Sequence, residues 1–255
     1  MFNLGNWYVL PYGQMSFWGK FCAQNDLSFF NIESNIFIYS SILPFIAPGT
    51  KSIKRIGPHD YNVLSILIGS LLGDAYAEKH GNGTRFCFQQ EHFHNAYLLW
   101  FHNYLSELGY CTSITPKITS RIGKQGKLRY ISRFKTYTFS SFNWIHDSFY
   151  KDGEKILPEN ISEYLSPLAL AIWIQDDGGK LSSGLKIATN NFTFDEVNVL
   201  AKVLRDKYNL KVSVVKAGAL NQYILYISKS SMKDLVEIIK PYLHPSMYYK
   251  LNGYI

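Results

Sequence analysis

Cysteine is nearly missing from this chain of 255 residues; Cys22, Cys87 and Cys111 are the whole complement. Their spacing holds no CxxC pair and no zinc-knuckle pattern, and an odd number of thiols closes no disulfide framework. Reduced thiols in a reducing compartment are expected instead. Long apolar runs are also absent. The most apolar early stretch, Phe29 to Ala47, is broken by Asn31, Glu33, Ser34 and Asn35. It falls well short of the roughly 20 apolar residues that a membrane span needs. No secretory signal precedes the sequons at Asn82, Asn160 and Asn191, which are read as chance. Negative charge is the third scarcity: 19 acidic residues face 26 basic ones, for a formal net charge of +7. A basic chain without a span is expected to meet nucleic acid rather than a membrane.

What is present suffices for a core, with 47% hydrophobic residues, and 16% aromatics leave rings over for a binding surface. Residues 1–57 lack periodicity, are rich in Gly and Pro, and read as an irregular leader. From Pro58 the pattern sharpens. Gly57-Pro58-His59-Asp60 starts a helix that is apolar from Val63 to Leu72 and ends in Gly73-Asp74. A strand over Thr84 to Gln90 comes next, with Phe86 and Phe88 on one face. Asn95 is expected to cap a helix stopped by Gly109. Ile114 to Ile122 and Leu128 to Phe139 form a hairpin, and Phe142 to Phe149 a short helix.

The same order then returns. Ser166-Pro167 opens a second apolar helix ending in Asp176-Asp177-Gly178-Gly179, and Leu185 to Ala188 is a strand. Thr193 to Glu196 is a capping box for a helix with Phe194, Val197, Ala201, Leu204 and Tyr208 inward. Strands over Lys211 to Lys216 and Tyr223 to Lys229 precede a last helix that Ser231 caps. Asp74 and Asp177 lie 103 positions apart, and the amphipathic helices end 100 apart, at Gly109 and Asn209. A repeat that long is a duplicated domain. The expected fold is α+β with pseudo-twofold symmetry: a leader at 1–57 and two lobes at 58–157 and 158–255.

Each copy places an aspartate at the C-terminal end of a helix too apolar to be anything but buried. A carboxylate there opposes the helix dipole, at a cost of about 0.3–1 kcal/mol. Asp-Gly is an ordinary turn signal, so either site alone reads as a turn. Two at matching positions in a basic chain point to a divalent cation between Asp74 and Asp177, with Gly73 and Asp176 as further oxygen donors. Hard-metal phosphodiester chemistry then becomes available.

The charge map agrees. From Thr115 to Lys135 there are seven basic residues and no acidic one: Lys117, Arg121, Lys124, Lys127, Arg129, Arg133 and Lys135. Alternation places Lys117 with Arg121, and Arg129 with Arg133, Lys135 and Tyr137, on single faces of their strands. A basic two-stranded ribbon suits the DNA major groove. The second copy is thinner, with Lys180, Lys186, Lys211 and Lys216, so the halves should grip unequally.

The stretches Leu67-Ile68-Gly69-Ser70-Leu71-Leu72-Gly73-Asp74-Ala75 and Leu170-Ala171-Ile172-Trp173-Ile174-Gln175-Asp176-Asp177-Gly178 resemble the two motifs of single-chain LAGLIDADG homing endonucleases and their intron-maturase relatives. Ala75 replaces the last glycine of the first motif, and Ile172 stands where the second has glycine. The resemblance implies motif helices paired at the lobe interface and two saddle-shaped antiparallel sheets along the DNA major groove. It implies Mg²⁺-dependent cleavage of both strands of a long double-stranded target by a monomer, leaving 3′ overhangs. Asp74 and Asp177 match the metal-binding aspartates. Lys155 and Lys250 resemble the basic active-site residues, and Gln89 an outer polar residue of the site. The maturase relatives imply the chain's own intron RNA as a second partner. The run from Tyr8 to Gly19 is similar to mitochondrial cytochrome b. That implies a reading frame continuous with an upstream exon, and synthesis inside the mitochondrion, in the matrix.

Overall fold

Asp60 starts the first helix, its carboxylate accepting from the backbone N–H of Asn62 at 2.8 Å and of Val63 at 3.1 Å. This helix, α1, spans Tyr61–Leu72. The computed structural model describes residues 50–123, 126–251 and 253–255, and the backbone of a short hairpin pairing Trp7–Val9 with Met15–Phe17. The rest of the leader up to residue 49, with most of its cytochrome b-like run, lies outside the described residues, as does Lys124. The leader's end packs onto the first unit. Arg55 lies over the Tyr137 ring at 4.7 Å and donates to the Thr138 carbonyl.

After α1 come β1 (Tyr76–His80), β2 (Gly83–Glu91), α2 (Asn95–Glu107), β3 (Ile118–Ile122), β4 (Leu128–Lys135) and α3 (Asn143–Phe149). A two-rung hairpin, β5 (Tyr150–Lys151) and β6 (Glu154–Lys155), and the short α4 (Ile161–Tyr164) lead into α5 (Pro167–Asp177). The second unit continues with β7 (Gly178–Leu181), β8 (Gly184–Ala188), α6 (Phe194–Tyr208), β9 (Val212–Lys216), β10 (Tyr223–Ser228) and α7 (Met232–Ile239). Both four-stranded sheets are antiparallel with equivalent order, β1-β2-β4-β3 and β7-β8-β10-β9. The expected duplication is therefore built twice to one plan.

The helices α1 and α5 form the seam between the units. Ser166 caps α5 through the N–H of Ala169, and Pro167 occupies the first turn, where no N–H is needed. Leu168 through Gln175 are all buried, so α5 has no solvent face. At the start of the seam the Ser166 hydroxyl donates to that of Ser65 at 2.8 Å. One turn further, Gly69 lets the backbones close. A Cβ there would sit 2.9 Å from both the Ala169 Cα and the Ile172 Cβ, and nearer still to the Ala169 carbonyl. The isoleucine in the second motif's glycine position is thus accommodated by the glycine of the first.

Several local expectations change. The strands directly after each aspartate, β1 and β7, were not expected, because Tyr76–His80 is short and charged and Gly178-Gly179 reads as a turn. The β3–β4 hairpin is shorter than its β-rich sequence suggests. Lys135 ends the ladder, and Thr136 and Phe139 make only single bridges to Cys111 and Thr84. Asn95 is the first residue of α2 and caps nothing; His94 holds the cap position without a side-chain bond. Phe194 is 48% exposed rather than inward, while Val197, Ala201 and Leu204 are buried as expected. The capping box of Thr193 and Glu196 is present, and Glu196 also accepts from the Leu157 N–H at 2.7 Å. The Ser231 hydroxyl accepts from the Lys211 N–H instead of capping its own helix.

Candidate active site and nucleic-acid face

Because α1 and α5 pack side by side in the same direction, their C-terminal ends deliver Asp74 and Asp177 to one place. Both line an open pocket of about 440 Å³ with Gly73, Tyr76, Tyr150, Lys155, Asn190 and Asn191. The approach is so close at Gly73 that a Cβ would meet the Asp176 Cβ at 2.5 Å. The Asp74 carboxylate accepts from the Gln90 side-chain amide at 2.8 Å, and its N–H donates to the Asp176 carboxylate at 3.4 Å.

Burial and the neighbouring carboxylates disfavour charge on Asp177 and Asp176. Burial, then the charge of Asp74, pushes Asp177 up to about 7, against relief from Lys250 and Lys155. Asp176 is raised well above the usual carboxylate range by burial, with Asp74 and Asp177 adding to it. Burial brings Lys155 down to about 8, although Asp177, Asp176 and Asp74 oppose the shift. Lys250 is lowered in the same way.

The two lysines end up in unlike settings. Lys155 faces the pocket from β6 and donates to the Ala75 carbonyl at 3.4 Å. Lys250 is buried and donates to the carbonyls of Gln175 and, at 2.7 Å, of Asp176, so it caps the end of α5. Gln175 anchors this arrangement. Its amide donates to the Tyr242 carbonyl at 3.2 Å and its oxygen accepts from the His244 N–H at 2.6 Å. That bond fixes the C-terminal segment carrying Lys250 against the seam.

Two expected site residues are corrected. Asp176 turns its carboxylate to the Asp74 N–H inside the seam, and Lys250 takes its carbonyl, so it does not present a donor to the pocket. Gln89 lies opposite Arg133 on the outer face of the sheet; the residue that reaches Asp74 is Gln90. Gln90 shares the strand face of Phe86 and Phe88, so alternation along β2 could have shown that it points toward the helix end. Asn190 and Asn191, on the loop after β8, carried no signal in the sequence.

Among the described residues no group of three or more His, Cys, Asp and Glu stands ready to hold a metal. Two converging carboxylates nevertheless fit a hard cation, since Mg²⁺ commonly takes one or two carboxylates and completes its shell with water and phosphate oxygens. A pH effect arises from the metal-free site. The native state keeps the Asp177 proton to about pH 7, whereas the unfolded chain releases it near 3.8. Between these values the native state binds more protons, so stability falls as pH rises through the window. Thermal melts in chelator should show the melting temperature of wild type falling relative to that of Asp177→Asn from about pH 4 to 7. The comparison cancels the opposite slope of His59, which burial lowers to about 4. A difference that stays constant across the window would contradict the burial of this carboxyl.

The register assigns the outer face of the first sheet. Arg121 lies opposite Arg129, Gln89 opposite Arg133, Cys87 opposite Lys135 and Glu78 opposite Arg85. Acidic residues thus enter from neighbouring strands. Glu78 pairs with Arg85 at 2.5 Å and with Lys135 at 2.8 Å, and Glu91 pairs with Arg129 at 2.9 Å. Among the described residues Arg121 and Arg133 form no ion pair, and Lys117 and Lys127 are exposed. In the second sheet Lys186 stands on the outer face, opposite Tyr226 and over Gly179, which leaves room for its side chain. Lys180 lies opposite Leu185 and Lys216 opposite Tyr223, on the alternation of the core residues Leu185 and Val212. No helix among the described residues is long and apolar enough to cross a membrane.

A family model described as the LAGLIDADG DNA endonuclease family matches residues 64–235. The chain is 52% identical over 200 residues to the cytochrome b mRNA maturase bI2 of Debaryomyces hansenii, covering 78% of this chain and 76% of that protein. It is 46% identical over 211 residues to the cytochrome b mRNA maturase bI2 of Saccharomyces cerevisiae, covering 79% of this chain and 50% of that protein. Its structure is similar to that of the homing endonuclease I-WcaI bound to its DNA recognition sequence. There the TM-score is 0.70 at 25% identity, covering 80% of this chain and 94% of the other.

Proposed function

Since the chain belongs to the LAGLIDADG DNA endonuclease family, we propose that it is a site-specific endonuclease that cuts both strands of duplex DNA. The observation that carries this reading is the convergence of Asp74 and Asp177, from separate units, on one pocket with Lys155. Residues 58–157 and 158–255 act as the two lobes. One chain supplies both aspartates, so a monomer suffices. Mg²⁺ is the fitting cation, and Asp74 and Asp177 would hold it. When bound it supplies charge neutralisation at the scissile phosphates and activation of water.

The chain's own residues do the rest. Gln90 orients the Asp74 carboxylate, and Lys155 offers a nearby ammonium to charge developing on the phosphorane. Lys250 holds the end of α5, and so positions Asp177, through two carbonyls. The outer face of the first sheet lies in the major groove, with Arg121, Arg129, Arg133 and Lys135 aimed at bases and phosphates. The second sheet offers Lys186 and Tyr226 there, so its grip is weaker. Arg133→Ala should lower duplex affinity and reduce the steepness of the log–log salt dependence by about 1, read by fluorescence anisotropy across salt. An unchanged slope would remove this face from the phosphate contacts.

A second reading is kept for a specific reason. The two bI2 relatives at 52% and 46% identity are named mRNA maturases, so assistance to the splicing of its own intron RNA is proposed as a further role. With the cytochrome b-like run near the N-terminus, this supports a mitochondrial product of an intron reading frame, and the matrix is proposed as its compartment. The deciding experiment is incubation of purified protein with duplex DNA spanning the joined cytochrome b exons. Cuts in both strands at one position, present with Mg²⁺ and absent with chelator, are expected. Tight binding without cleavage in Mg²⁺ or Mn²⁺ would leave the maturase reading alone.

A further inference from the structure

A groove of about 310 Å³ opens where the end of β2 meets the start of β4. It is lined by Glu91 at the end of β2, by His92 and Phe93 from the turn after it, and by Lys127, Leu128, Arg129 and Tyr130 from the hairpin. Its rings are unusually bare for a soluble surface: Phe93 is 88% exposed and Tyr130 52%. Alternation explains why. Leu128 and Tyr130 share the strand face of Phe134, which packs on Phe88 in the core, but they lie beyond the point where the core ends. They therefore project on the side opposite Arg129 and Arg133, away from the face assigned to duplex DNA. Ile118 and Ile122 stand on that same side of β3 and are also exposed.

We propose that this groove binds an unpaired nucleotide of RNA, with the base stacked on Phe93 and Tyr130 and a flanking phosphate met by Lys127. The inference deepens the second reading above and rests on it. Two observations select the occupant. The groove couples exposed rings to the exposed Lys127, and the charges of Glu91 and Arg129 on its wall cancel in their ion pair, so an anionic ligand with flat apolar faces complements it. In intact duplex DNA every base is paired and stacked, whereas RNA loops and bulges offer bases that an aromatic platform can take. Because Leu128 and Tyr130 point to the side of the hairpin opposite Arg133, the chain can read two nucleic acids with different surfaces.

The test measures anisotropy of the full chain with an unstructured A-rich RNA oligonucleotide and, separately, with the duplex of the exon junction. Phe93→Ala combined with Tyr130→Ala should weaken RNA binding by about tenfold or more, while duplex affinity and cleavage stay within about twofold. Phe93→Trp should retain RNA binding, and Arg133→Ala should show the reverse selectivity. Because both replaced rings are exposed, circular dichroism should be unchanged. If wild type binds RNA and the double variant binds it equally well, the groove is not the site, although the RNA reading survives. If wild type does not bind RNA, both fall. Loss confined to the duplex, or equal loss on both, would assign Phe93 and Tyr130 to DNA and overturn the proposal.

Discussion

Asp177→Asn should lower double-strand cleavage by on the order of a thousandfold or more while duplex affinity stays within about threefold. The amide keeps the shape of the side chain but removes one of the two charges that converge on the pocket. Asp74→Asn should act alike. Both changes should raise the melting temperature of the metal-free protein: Asp177→Asn removes the carboxyl that burial, and then the charge of Asp74, pushes up to about 7, and Asp74→Asn removes that repulsion. Asp176→Asn is the informative control. Its carboxyl lies in the seam, and an amide oxygen can still accept from the Asp74 N–H, so cleavage should stay within about tenfold of wild type. Equal loss in Asp176→Asn and Asp177→Asn, measured on labelled duplex under single turnover, would show that the donors have been assigned wrongly.

The largest effect on stability is expected at Gly69. Gly69→Ala gains up to about 1 kcal/mol of helix propensity. It also drives a methyl to 2.9 Å from the Ala169 Cα and the Ile172 Cβ, with the Ala169 carbonyl nearer still. Overpacking of this kind costs about 1–3 kcal/mol where side chains can give way, and sometimes more. Here the nearest obstacle is backbone, so the helices must separate and the net loss should be about 3 kcal/mol. For a chain of this size that lowers the melting temperature by roughly 6–12 °C. Cleavage should fall with it, since the same seam spaces Asp74 from Asp177. Trimming the partner, as in Gly69→Ala with Ile172→Ala, should recover little, because the Ala169 main chain remains in place. A double variant as stable as wild type would show that side-chain crowding alone sets the approach. A fully stable Gly69→Ala would show that the seam is looser than its geometry indicates.

Much of this was legible in the chain. The duplication could be read from two apolar helices ending in aspartate 103 positions apart, and helix starts at Asp60, Ser166 and Thr193 carry their caps locally. The strand pairs β3–β4 and β9–β10 are close in sequence and alternate clearly. The unexpected strands, β1 and β7, are held by ladders to β2 and β8 and have little propensity of their own. The departure of Ile172 from the motif is a weakness in sequence alone, but Gly69 lies opposite it and makes the room. The acid-free run from Thr115 to Lys135 suggested an uncompensated ribbon, but Glu78 and Glu91 arrive from strands of another segment.

The family was legible in the resemblance of the two motifs, and the α+β duplication, the two aspartates and the basic strands in periodicity, caps and charge, which are properties of neighbours along the chain. Tertiary structure alone decided which polar side chain reaches Asp74, that Lys250 caps a helix while Lys155 faces the pocket, and that Asp176 turns inward. It also decided which cations are already paired. Each of these depends on groups brought together from distant segments, where a few ångströms of helix approach or one step of strand register selects the partner.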